Sequence, residues 1–166
     1  LARTEVAAGM AVGSHSYTHS DALPAMNAAE FRDDLDSAAT AIRTVLGFTP
    51  AIYRSPYGHT SSAMLEVEHA AGYTSIGWDL DSTDWSAAAV DDVVNSVLNN
   101  AHPGAIILMH DGGLGGGNPD RSTTVSALPR IIDGLRAQGY SFATVPEIAG
   151  IPARMADAES SACSAN

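Results

Sequence analysis

Short apolar runs alternate with longer amphipathic stretches along this chain, and that rhythm limits its possible folds more than any other feature. Parallel strands need crossover connections, usually helices, so the alternation predicts repeated strand and helix units around a largely parallel sheet, an α/β fold. Strands are expected at 11–13, 51–54, 75–78, 105–109 and 141–144. The clearest helix runs over 27–46. Asn27 stands at its N-cap with Glu30 in the capping-box position, Gly47 is its stop, and Phe31, Leu35, Ala38, Ile42, Val45 and Leu46 form its apolar stripe. Further helices are expected at 60–71, 86–101 with Ser86 as its cap, and 122–138. Residues 1–10 read as the last turns of a helix.

At 166 residues and 45% apolar content the chain is long enough to bury one ordinary core. Residues 1–150 are expected to form the domain, with 151–166, small and polar, as a tail or linker. No apolar run approaches the roughly 20 residues of a membrane span. The formal charge is −11 and all eight cations are Arg, so no basic face offers itself to nucleic acid. Without Lys, Schiff-base chemistry and a phosphate loop ending in Lys are excluded. The single Cys163 lies in the polar tail, where an unpaired or intermolecular thiol is a simpler reading than a catalytic one.

The residues able to do chemistry cluster just after the expected strands, at the ends where α/β folds assemble their sites. His15 and His19 follow the first, a spacing that suits a shared divalent metal if the segment turns, with two surface or capping His as the competing reading. Asp21 is the one nearby candidate for a third ligand. Arg54 follows the second strand and can hold a carboxylate through its fork of donors, or simply pair with a surface acid. Pro56 stiffens the turn that aims the Tyr57 amide, which suits an oxyanion, although Tyr57 also reads as a packing aromatic. Asp79, Asp81 and Asp84 crowd one loop beside Trp78 and Trp85. One of these acids oriented on His110 would fix its tautomer and raise its pKa; the alternative has Asp81 capping a turn and Asp84 capping the next helix. Trp85 offers a flat face for a sugar or for the core. His110 ends the most apolar strand, with Leu108 pointing the same way as a wall for a small methyl group, and a satisfied core His is the competing reading. His59, His69 and His102 receive no role.

Taken in order, His15-Ser-Tyr-Thr-His19, Arg54-Ser-Pro-Tyr57-Gly58, Asp81-Ser-Thr-Asp84-Trp85 and Leu108-Met-His110 resemble the second to fifth motifs of the NodB-type polysaccharide deacetylases, carbohydrate esterase family 4. The resemblance runs from about residue 1 to 150. It implies a distorted (β/α) barrel and a zinc-like ion, with cobalt as a substitute, on His15, His19 and an Asp. It also implies an activated water attacking an acetyl carbonyl, an oxyanion at the Tyr57 amide, and His110, held by Asp84, as general acid. Arg54 would tether the base; Trp85, Leu108 and Asp81 would line the substrate pocket. The expected partner is an acetylated carbohydrate, handled by a monomeric, extracellular or wall-associated hydrolase.

The family's first motif, an Asp pair closing an upstream strand, has no counterpart here: fourteen residues precede His15 and none is Asp. A barrel lacking its first strand and helix unit, impaired when alone, is therefore expected. Ser20 also stands where the family usually has Pro. Three functions follow as expectations: deacetylation of N-acetylglucosamine-containing sugar such as chitooligosaccharide or peptidoglycan, an acetylxylan esterase with the same machinery, or a non-catalytic carbohydrate-binding relative.

Overall fold

The computed structural model describes residues 1–86, 88–112 and 120–156. In chain order the regular elements are α1 (Ala2–Ala7), α2 (Ala28–Leu46), β1 (Ile52–Tyr53), α3 (Ser62–Ala70), β2 (Thr74–Ser75), β3 (Leu80–Asp81), α4 (Val90–Asn100), β4 (Ile107–Leu108), α5 (Ser122–Ala137) and α6 (Val145–Ala149). They fall into two compact units: Leu1–Ile76 with the residues from Thr144 on, and Gly77–Ala143. Both are α/β in character, as the alternation predicts. Among the described residues no helix is long and apolar enough to cross a membrane.

In the first unit β1 and β2 pair in parallel, with Ile52 opposite Thr74 and Tyr53 opposite Ser75. The expected strand at 11–13 does not form; the segment joins the pair just beyond it through one bridge, Ser14 to Tyr53, with the Ser14 amide on the Ile52 carbonyl at 2.9 Å. α2 begins as its sequence dictates. The Asn27 side chain accepts from the Ala29 and Glu30 amides, and the Glu30 carboxylate accepts from the Asn27 amide at 2.9 Å. Gly47 ends it in the left-handed region, φ 80°, where a side chain would be strained. The stripe buries Phe31 and Leu35 against Leu23, Tyr53, Met64 and Tyr73; Ala38 is buried too, while Val45 lies exposed. Residues 151–156 are part of this unit and not a loose end: the Ala51 amide bonds to the Ala153 carbonyl at 3.0 Å and the Met155 amide to Thr49 at 2.9 Å. Cys163 and the rest of the tail lie outside the described residues.

In the second unit β3 and β4 pair in parallel, Leu80 opposite Ile107 and Asp81 opposite Leu108. Leu80, Val93, Val94, Val97, Ala127, Ile131 and Leu135 close the core, largely from α4 and α5. The helices meet closely at Gly134, where a Cβ would come within 2.7 Å of Leu98.

Three expectations are corrected. Residues 80–81, read as part of an acidic loop, form β3, because an apolar signal of one buried Leu is too short to register beside three acids. No strand forms at 141–144; there Thr144 caps α6, its amide and hydroxyl both donating to Glu147, at 2.7 and 2.8 Å. Ser86 does not cap α4, since its hydroxyl closes the turn Asp84–Ser86 on the Thr83 carbonyl at 2.8 Å and the helix starts only after Ala89.

Candidate active-site residues

The first unit turns the His15–His19 segment tightly. Ser16 and His19 both take positive φ, 68° and 50°, and the Ser16 hydroxyl accepts the His19 amide at 2.9 Å. That turn achieves what an extended strand could not: the two imidazoles lie edge to face with centroids 5.0 Å apart. His15 Nδ1–H donates to the Arg54 carbonyl at 2.7 Å, which fixes the tautomer and leaves the lone pair of the neutral ring on Nε2. The loop is held from below by Asp34, nearly buried on α2, whose carboxylate accepts the Tyr17 and Thr18 amides and the Thr18 hydroxyl.

Arg54 follows β1 as expected, and burial lowers the pKa of its guanidinium. Its Nε–H donates to the Ile76 carbonyl at 3.3 Å. Sequence reasoning assigned the side chain and overlooked the backbone carbonyl that orients His15. Tyr57 sits in the short turn Pro56–Gly58 with φ 58° and ψ 7°, an uncommon conformation for a residue with a Cβ, and its half-exposed ring edges onto His19 with centroids 5.0 Å apart. Such strain, held by Pro56 and β1, gives the Tyr57 amide a set direction.

The second unit builds the acid pair. Asp84 Oδ1 accepts His110 Nδ1–H at 2.7 Å; Oδ2 accepts the His110 amide and the Thr124 hydroxyl, both at 2.8 Å. The Asp84 side chain is fully buried and the His110 ring one-third exposed. Burial pushes the Asp84 pKa up, but the hydrogen bonds from His110 and Thr124 outweigh it and hold the carboxyl below its ordinary value. These bonds overturn the reading of Asp84 as a helix cap. Thr124, on α5 forty residues away, carried no sequence signal beyond being a small polar residue on the buried helix face.

Asp81 does cap a turn, taking the Thr83 amide at 2.8 Å, and it also accepts the Trp85 indole N–H at 3.1 Å. The indole is thereby locked with half its surface open to solvent. Leu108 lies half-buried in β4 and its carbonyl accepts the Ser82 amide at 3.3 Å. Asp79 takes the Ile106 amide at 2.8 Å and plays a structural part.

For a divalent metal the donor set fits in part. His19 Nδ1 is buried and without a hydrogen-bond partner, a cost that a ligand or ion would remove. Two rings 5.0 Å apart are close enough for both to reach one ion through bonds of about 2.0–2.1 Å. The His15 ring is oriented through its other nitrogen, as metal-bound imidazoles are. Among the described residues no group of three His, Cys, Asp or Glu comes together, so Asp21 is not brought in as the third ligand.

A sequence profile described as polysaccharide deacetylase matches residues 1–76. A chitooligosaccharide deacetylase of Bradyrhizobium sp. is 35% identical over 155 residues, covering 89% of this chain and 70% of that protein. A peptidoglycan-N-acetylglucosamine deacetylase of Bacillus cereus is 35% identical over 142 residues, covering 84% of this chain and 63% of its own length. The crystallised family 4 carbohydrate esterase of Streptomyces lividans, in complex with acetate, superposes with a TM-score of 0.75 at 34% identity over 93% of this chain and 73% of its own. Across curated relatives the matched share of the partner's length runs from 23% to 71%. The turn that pairs His15 with His19 and the buried Asp84 that holds His110 thus stand in a chain that belongs to the polysaccharide deacetylases of carbohydrate esterase family 4 and carries their NodB-type fold.

Proposed function

We propose that this chain belongs to a metal-dependent deacetylase of N-acetylglucosamine-containing polysaccharide or oligosaccharide, of the chitin or peptidoglycan kind, acting outside the cell or at the cell wall and as a monomer, with these residues alone impaired because they hold no counterpart of the family's acidic first motif. The observation that carries the proposal is the His15–His19 pair, 5.0 Å apart and oriented by the Arg54 carbonyl. His15 and His19 would hold zinc, or cobalt in its place; such an ion supplies Lewis acidity that activates water and polarises a carbonyl. The Tyr57 amide, aimed by its strained turn, donates to the oxygen that becomes negative as water adds to the acetyl carbon. His110 has Nδ1 committed to Asp84, so Nε2 delivers the proton to the sugar nitrogen as the C–N bond breaks, releasing acetate and a free amine. Trp85 presents its open face to a sugar ring and Leu108 a methyl-sized apolar wall; the proton of the attacking water would pass to a carboxylate of the family's first motif, which has no counterpart in these residues and which Arg54 would hold. The relatives' substrates, acetylated amino sugars in two cases, support the amide reading; an ester of the acetylxylan kind uses the same groups.

The test is acetate release from N-acetylglucosamine oligomers, peptidoglycan and acetylxylan by the parent, His15→Ala, His19→Ala and His110→Ala chains. Release lost in all three variants is expected; release that survives the loss of both His15 and His19 contradicts the metal role. A second reading, a non-catalytic sugar-binding relative, is favoured by the absence of a third metal donor among the described residues. In that case oligosaccharide binds and no acetate appears.

A further inference from the structure

We infer that Asp34 is a positioning residue for metal binding, setting the His15–His19 turn from α2 without touching the ion. The inference rests on the metal reading proposed above. Asp34 is one residue before Leu35 on the buried stripe of α2, and it is only 6% exposed. A carboxylate at such a position is costly unless its oxygens are fully used. Here both are. Oδ2 accepts the Tyr17 amide at 3.0 Å, and Oδ1 accepts the Thr18 amide at 3.0 Å and the Thr18 hydroxyl at 2.7 Å. These are the second and third of the three residues between the two imidazoles.

Consecutive amides converging on one anion form a nest, a backbone concavity built to bind negative charge. The remaining residue of the turn, Ser16, has φ 68° and ties its hydroxyl to the His19 amide. The turn is therefore pinned at every residue between His15 and His19. His15 is anchored separately on the Arg54 carbonyl. His19 has no such anchor on Nδ1, so its ring position depends on the turn and on the edge contact with Tyr57. Removing the anion should leave His15 in place and let His19 drift, separating the two donors.

The experiment titrates cobalt(II) chloride into the full chain and follows its visible absorption and heat of binding, with the parent, Asp34→Asn, Thr18→Val, Leu35→Ala, His15→Ala and His19→Ala. Outer-sphere partners of metal ligands typically carry 10- to 100-fold in affinity, so Asp34→Asn is expected to weaken cobalt binding by about that factor. Thr18→Val, at an exposed position, removes one of the donors to Asp34 and is expected to weaken it less; it keeps the test alive if Asp34→Asn does not fold. Leu35→Ala, a neighbouring core deletion, is expected to lower the melting temperature and leave the affinity unchanged. If Asp34→Asn and Thr18→Val bind cobalt as the parent does while His15→Ala and His19→Ala do not, the inference is overturned and the metal reading stands. If Leu35→Ala weakens binding as much as Asp34→Asn, the effect is general loosening and the inference is likewise overturned. If the parent and the His variants are indistinguishable, the metal reading itself fails and Asp34 has nothing to position.

Discussion

At the level of single residues, two buried carboxyls have opposite surroundings. Asp84 is surrounded by donors that hold its pKa below the ordinary value in spite of burial. A depressed folded-state pKa means that the stabilisation is present above the unfolded value near 3.8 and is lost as the pH falls through the folded one. Asp84→Asn is therefore expected to lower stability at neutral pH and to flatten the acid limb, which denaturant unfolding between pH 2 and 7 would show. Glu68 is the reverse case: burial pushes its pKa above the ordinary 4.5, with Ser75 offsetting part of the effect. Its folded form keeps a proton that the unfolded chain loses, so it costs stability as the pH rises above 4.5. Glu68→Gln is expected to be more stable than the parent at neutral pH and equal to it below 4. For activity, His110→Ala is expected to reduce acetate release by about 10²- to 10⁴-fold, the usual reach of a positioned acid, while oligosaccharide binding is kept.

At the scale of elements, local signals were readable wherever a side chain bonds its own backbone. Asn27, Glu30 and Gly47 bound α2 within a residue of where the sequence places it. Asn27→Ala is expected to cost about 1 kcal/mol, measurable as a lower melting temperature with no change in cobalt affinity. Strands were harder to read. Each is two residues long, and segments such as 11–13 and 141–144 carry the composition of strands without a ladder. β3 was hidden for the opposite reason, one buried Leu followed by an acid. Side-chain pairings were more legible than the strands: Asp84 with His110, and His15 with His19, are pairs that charge and spacing suggest. Asp34 and Thr124 were not, because each is a small polar residue on a helix face whose partner comes from far along the chain, and periodicity alone reads such a position as tolerated.

At the scale of the whole molecule, an excess of eleven negative charges with Arg as the sole cation sets how the chain meets other polymers. It is expected to pass through heparin unretained and to leave duplex DNA unshifted at low salt, which a gel-shift assay checks. Neutral sugar polymers meet no such barrier, and the locked, half-open face of Trp85 is the contact such a partner would use. Whether metal held by His15 and His19 drives acetate removal is decided by acetate release from N-acetylglucosamine oligomers with zinc or cobalt supplied and then chelated. Both this chain and a form extended at its N-terminus would be used. Release that appears with metal, in the extended form even where this chain alone is slow, and that stops on chelation is the expected result. Release indifferent to chelation, or none from either form while cobalt is bound, would show that metal on His15 and His19 does not drive the reaction.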